Sequence, residues 1–244
     1  MEIIYGMVIV AVSGFVQGVT GFGLSIAAIP FLILLFPLRE IVPSIAVLAI
    51  ITNCLVLIPA RREVKFKKFR IMVLMSVLFT PLGILSLQHF NQYYLKLIFG
   101  VLITFFSLML IFKKTFSMKN EKAGYTITGI ISGVLNGSLS ISGPPVVLLL
   151  SNQGIEKETF RANISLYFFI LNVITIAIFL INGMLNMVIF ERLIFFMPAL
   201  FVGALLGIKI SKKVKNETFG KLVLVLLIFS GVWTTISTLS NLII

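Results

Sequence analysis

Apolar residues in this chain come in long runs, not in the period-2 alternation of a half-buried strand. The runs cover 3–36, 41–60, 71–88, 94–112, 124–151, 162–182, 193–211 and 222–244, with short polar gaps between them. A helix crosses the hydrocarbon core of a bilayer in about 20 residues, and as few as about 17 suffice. Six of the eight runs have that length. The first is too long for one crossing: at 1.5 Å per residue it would make a helix of about 51 Å against about 30 Å of hydrocarbon. It has to bend back or break, and so does the fifth. The pattern predicts an all-α, polytopic transmembrane helical bundle.

Both long runs are interrupted in the middle by glycines and small polar residues. In the first these are Gly14, Gln17, Gly18, Thr20, Gly21, Gly23 and Ser25, followed by Pro30. In the fifth they are Gly133, Asn136, Gly137, Ser138, Ser140, Ser142, Gly143, Pro144 and Pro145. The two interruptions align at an offset of 119 residues, which puts Gly14 on Gly133, Gln17 on Asn136, Gly18 on Gly137, Ile45 on Ile164 and Asn53 on Asn172. The order of elements repeats as well, since each overlong run is followed by three ordinary ones. This predicts an internal duplication into repeats 1–120 and 121–244 within one integral membrane domain.

Composition agrees with a chain whose solvent is lipid. Of its residues 59% are hydrophobic and 11% charged, and the mean hydropathy is +1.14. Asp does not occur, and all eight acidic residues are Glu in or beside the gaps. The net charge of +12 comes from basic residues in those gaps, the pattern of loops facing anionic lipid and not of a nucleic-acid surface. Arg61–Arg70 holds six basic residues, Lys113–Lys122 four and Lys209–Lys221 five, whereas Gln88–Lys96 and Asn182–Arg192 hold one each. The positive-inside rule puts the first three in the cytoplasm and the last two outside the cell (inner) membrane. Both ends of run 124–151 then lie inside, so it is a hairpin, and run 3–36 is a hairpin entering from outside. Corresponding loops of the two halves carry opposite charge bias, which predicts inverted repeats. Under this threading seventeen basic residues lie inside and three, Arg39, Lys96 and Arg192, outside.

Broken helices at membrane depth expose N–H and C=O groups that lipid cannot satisfy, so such backbone is buried in protein or lines a wet cavity. The two breaks are therefore expected to share one cavity. A half-helix N-terminus offers N–H donors and a partial positive charge to an anion, and Gly143-Pro144-Pro145 reads as a loop opening a helix. The expected substrate-binding set is Gln17, Thr20, Gly21, Gly23, Ser25, Asn53, Asn136, Ser138, Ser140, Ser142, Gly143 and Asn172, with Arg161 at the cytoplasmic mouth as a gate or as an interfacial cation. Neutral donors without a carboxylate suit a small anion. No metal ligand set and no cofactor motif is present: Cys54 is alone, and the single histidine, His89, falls in a predicted loop.

The segments GFVQGVTGFGLSIAAIP and GVLNGSLSISGPPVVLLL, with REIVPSIAVLAIITN and KETFRANISLYFFILN after them, resemble the TauE/SafE family of sulfite and organosulfonate exporters across essentially the whole chain. The resemblance implies export of sulfite, sulfoacetate or similar anions. Two other functions are compatible with the residues, an anion channel and a non-catalytic membrane subunit of a larger complex. A membrane enzyme lacks support, because no paired intramembrane carboxylates, His cluster or Ser/His/Asp set occurs. Lipid, a small oxyanion and a second copy of the chain in a homodimer are the expected partners.

Overall fold

The computed structural model describes residues 1–111, 121–151 and 155–213 and, beyond them, Val225, Ile228, Phe229, Val232, Trp233 and Ile236. Most of run 222–244, and of the basic gaps Lys113–Lys122 and Lys209–Lys221, lies outside the described residues. Nine α-helices are described: α1 (Glu2–Thr20), α2 (Leu24–Leu32), α3 (Leu38–Ala60), α4 (Arg70–His89), α5 (Gln92–Ile111), α6 (Glu121–Leu139), α7 (Gly143–Ser151), α8 (Lys157–Ile181) and α9 (Met187–Ser211). Five of them, α1, α3, α4, α8 and α9, are long and apolar enough to cross a membrane.

Each overlong run forms a full-length helix, a three-residue break and a nine-residue helix. α6 and α7 have the bounds of α1 and α2 moved by 119 residues, and α8 starts 119 residues after α3. The breaks are narrower than the interruptions read from the sequence. Gly14, Gly18, Gly133 and Gly137 lie inside continuous helix, and the chain leaves helical geometry only at 21–23 and 140–142. Gly21 ends α1 in the left-handed conformation, at φ 82°, as glycine readily does. Its counterpart Ser140 takes φ 52°, a conformation that costs a residue with a Cβ.

The in-helix glycines set the packing. Gly14 meets Leu200 and Ala204, and Gly18 meets Ala204, Gly207 and Ile208, so α1 runs parallel to α9. Gly129 meets Met72, Gly133 meets Ser76, and Gly137 meets Thr80, Gly83 and Ile84, so α6 runs parallel to α4. A methyl group added to Gly207 would overlap the carbonyl of Phe15, and one on Gly83 would overlap that of Val134. Phe15 and Val134 are themselves 119 residues apart. Small residues spaced by four let backbones approach this closely, the main source of helix association in lipid.

Polar contacts orient the remaining elements. Arg192 pairs with Glu40 at 2.9 Å and lies over the Phe36 ring, and Arg39 donates to the carbonyls of Leu87 and Gln88. The N-terminal ends of α3 and α9 and the C-terminal end of α4 therefore share one end of the bundle. At the other end the Lys65 N–H donates to Asn163 Oδ1, and the Thr159 hydroxyl to Glu63, which makes α3 and α8 antiparallel. α1 is parallel to α9 and α6 to α4, so the hairpins α1–α2 and α6–α7 enter from opposite ends. Phe31 of α2 packs on Phe229 and Trp233.

The outward faces are apolar, and several polar side chains are buried among an apolar core. Leu74, Leu78, Leu82 and Leu85 line the outward face of α4, and Ile194, Val202, Leu205 and Leu206 that of α9. Gln17, Asn53, Asn136, Asn172 and Arg161 are each at most 4% exposed. A bilayer rewards this arrangement and water does not. The chain is an integral membrane protein.

The glycine seams predict a steep mutational response. Gly83→Ala and Gly207→Ala are each expected to destabilise the protein by about 1–3 kcal/mol through overpacking against backbone, whereas the outward-facing Leu206→Ala changes stability by less than about 0.5 kcal/mol. Thermal unfolding of the purified variants in detergent reads the difference, and equal melting temperatures would refute the packing role.

Candidate functional site

α1 and α6 enter from opposite ends and each runs most of the length of its partner helix, Gly18 reaching Gly207 of α9 and Gly137 reaching Gly83 of α4. Between the two hairpins lies a partly open cavity of about 30 Å³, room for about two water molecules. The first hairpin contributes Gln17, Gly23 and Ser25 to its wall, and the second contributes Asn136, Ser140, Ser142 and Gly143. Asn53 of α3 and Asn172 of α8 close it from the sides. Apolar residues fill the gaps, among them Ala49 and Phe168, each one turn before its asparagine. Among the described residues no carboxylate lines the cavity.

Nine of the twelve residues expected to bind substrate stand on this wall, and three do not. Thr20 folds back, its hydroxyl donating to the carbonyls of Val16 and Phe22 and accepting from the Phe22 N–H. Gly21 packs on Arg161, and its carbonyl accepts from Ser165 Oγ at 3.1 Å. Ser138 donates to Val134 within its own helix. These three hold the tips in shape. Ser140 does both, since it lines the cavity and donates to the Val42 carbonyl at 3.1 Å.

Hydrogen bonds fix most of the polar groups on the wall. Gln17 Nε2 donates to Asn53 Oδ1 at 2.7 Å, which leaves Asn53 Nδ2 buried with no partner among the described residues. Asn136 occupies the position equivalent to Gln17 but is one methylene shorter. It turns to Thr175, donating from Nδ2 to Oγ1 at 2.6 Å, and accepts from Ser142 Oγ at 3.3 Å. Asn172 therefore lacks the bond that its counterpart Asn53 receives. Thr175 was not among the expected residues. Its signal was the i, i+3 spacing from Asn172, which puts both on one face of α8.

Arg161 is 4% exposed and turns inward instead of reaching for the interface. Its Nη2 donates to the Gly18 carbonyl at 2.8 Å, and its Nη1 to Glu158 at 3.0 Å. A cation at the C-terminal turn of α1 offsets the negative end of the helix dipole, so Arg161 clamps the first tip from behind. The equivalent residue behind the second tip is Val42, which offers only its carbonyl.

The fold and the site are those of a membrane protein with two converging broken helices, and comparison with known proteins points the same way. Neither a curated protein nor a solved structure matches the chain. A family profile described as "Sulfite exporter TauE/SafE" matches residues 6–234, which takes in both hairpins and every residue on the cavity wall. The chain belongs to the TauE/SafE sulfite exporter family.

Proposed function

We propose that this chain is a secondary transporter that carries a small oxyanion, sulfite or an organosulfonate, outward across the cell membrane. In this reading residues 1–120 and 121–244 are inverted repeats, and one rocks against the other to open the central cavity to each side in turn. The observation that carries the proposal is the cavity itself: both breaks and both equivalent asparagines converge on it, its wall has no carboxylate, and an amide N–H group is left unused there.

The predicted spans contain no Asp or Glu for a buried proton relay, and none is required for export. With the cell interior negative, moving one anionic charge outward is favoured by about 2.3 kcal/mol per 100 mV. Purified protein in liposomes loaded with radiolabelled sulfite should therefore show saturable efflux. In inside-out vesicles a potential of about 100 mV, positive inside, should drive accumulation of about 50-fold. Efflux that ignores the potential would remove the uniport mechanism, and single-channel currents would replace the carrier with a channel.

Sidedness has its own test. In a Cys54→Ala background, Asn182→Cys should react with a membrane-impermeant maleimide in intact cells, and Arg62→Cys only after permeabilisation. The opposite pattern would invert the orientation.

A further inference from the structure

The two sides of the cavity are equivalent in backbone but not in chemistry. α2 opens with Leu24 and Ser25, whose N–H groups are taken by no backbone carbonyl among the described residues, as expected for the first turn of a helix. At the equivalent positions α7 opens with Gly143 and Pro144, followed by Pro145, so only Gly143 of the three carries an N–H. Beside α2 stands Asn53, fully buried on the cavity wall. Its oxygen is occupied by Gln17 Nε2, so its unpartnered Nδ2 is what it can offer a guest. Beside α7 stands Asn172, which has no hydrogen bond to Asn136, while Asn136 and Ser142 are bonded to each other.

We propose that the anionic head of the guest is bound off the pseudo-twofold axis, on the first hairpin, by the N–H groups of Leu24 and Ser25 together with Asn53 Nδ2, and that the second hairpin supplies a neutral wall against the rest of the guest. This rests on the transporter reading and adds to it the place of the charge. The Arg161 guanidinium, paired with Glu158, lies behind the first tip and donates to the Gly18 carbonyl, where the second tip has only the Val42 carbonyl behind it. The negative charge then stays with the first repeat while the second moves past it.

Calorimetric titration of the full chain in lipid nanodiscs with methanesulfonate tests the asymmetry. Ser25→Pro copies Pro144 onto the first hairpin, removes one N–H and fits the first turn of a helix. It should weaken binding about 10-fold, as should Asn53→Leu. Asn172→Leu should weaken binding by less than Asn53→Leu does, and Pro144→Ser should not weaken it. If Asn53→Leu fails to fold, Ser25→Pro decides the question. Wild-type binding with equal losses for Asn53→Leu and Asn172→Leu, or with Ser25→Pro unchanged, would overturn the off-axis seat and leave the transporter reading intact. A wild-type protein that binds neither methanesulfonate nor sulfite would overturn both.

Discussion

Inside a bilayer every backbone N–H and C=O has to find its partner within the protein. A straight helix meets that demand alone, and a broken one cannot. The breaks at 21–23 and 140–142 are therefore tolerable only where something else covers them, and the rest of the architecture follows from how that is done. Each tip is buried against the other half of the chain: the Gly21 carbonyl accepts from Ser165, the Gly18 carbonyl from Arg161, and Ser140 donates to Val42. One buried donor left without a partner among the described residues, Asn53 Nδ2, belongs to the cavity wall.

The same demand explains the glycine seams. To present its tip to the other half, each hairpin runs beside a helix from that half, α1 beside α9 and α6 beside α4. Lipid supplies no hydrophobic drive for this contact, because a leucine is as well solvated by acyl chains as by another helix. Close backbone approach provides it instead, and Gly203 against Ala11 and Gly83 against Val134 are among the points of closest fit. These glycines build the site without touching it.

Pseudo-symmetry in the backbone with asymmetry in the side chains gives the cavity its character. A single methylene separates Gln17 from Asn136, and its effect spreads. The longer side chain reaches across to Asn53 and fixes its amide, while the shorter one settles on Thr175 and leaves Asn172 unbonded. Two prolines at the start of α7 remove donors that α2 keeps. One backbone plan thus yields a donor-rich side and a neutral side.

Much of this was legible in the sequence because lipid imposes a simple code. Run lengths of about 20 residues gave the crossings, an impossible length of 34 gave the first hairpin, and the 119-residue offset paired the halves. Residue type carried most of the site too, since glutamine and asparagine are costly in hydrocarbon without a partner. The offset could not say which small residues break a helix and which pack it. Gly14, Gly18, Gly133 and Gly137 read as interruptions, but they are helical because a neighbouring backbone lies against each of them, and that neighbour comes from the distant half of the chain. Thr20, Gly21 and Ser138 are equally good candidates by type, yet they point away from the cavity, because rotation about a helix axis is set by what packs on it. The sequence by itself determined the solvent, the approximate bounds of the ordinary helices among the described residues and the polar inventory, all of which depend on local length and composition. Only the tertiary structure decided which of those polar groups are already bonded and which face the cavity, because a hydrogen bond between α1 and α3, or between α6 and α8, exists only once the helices have met.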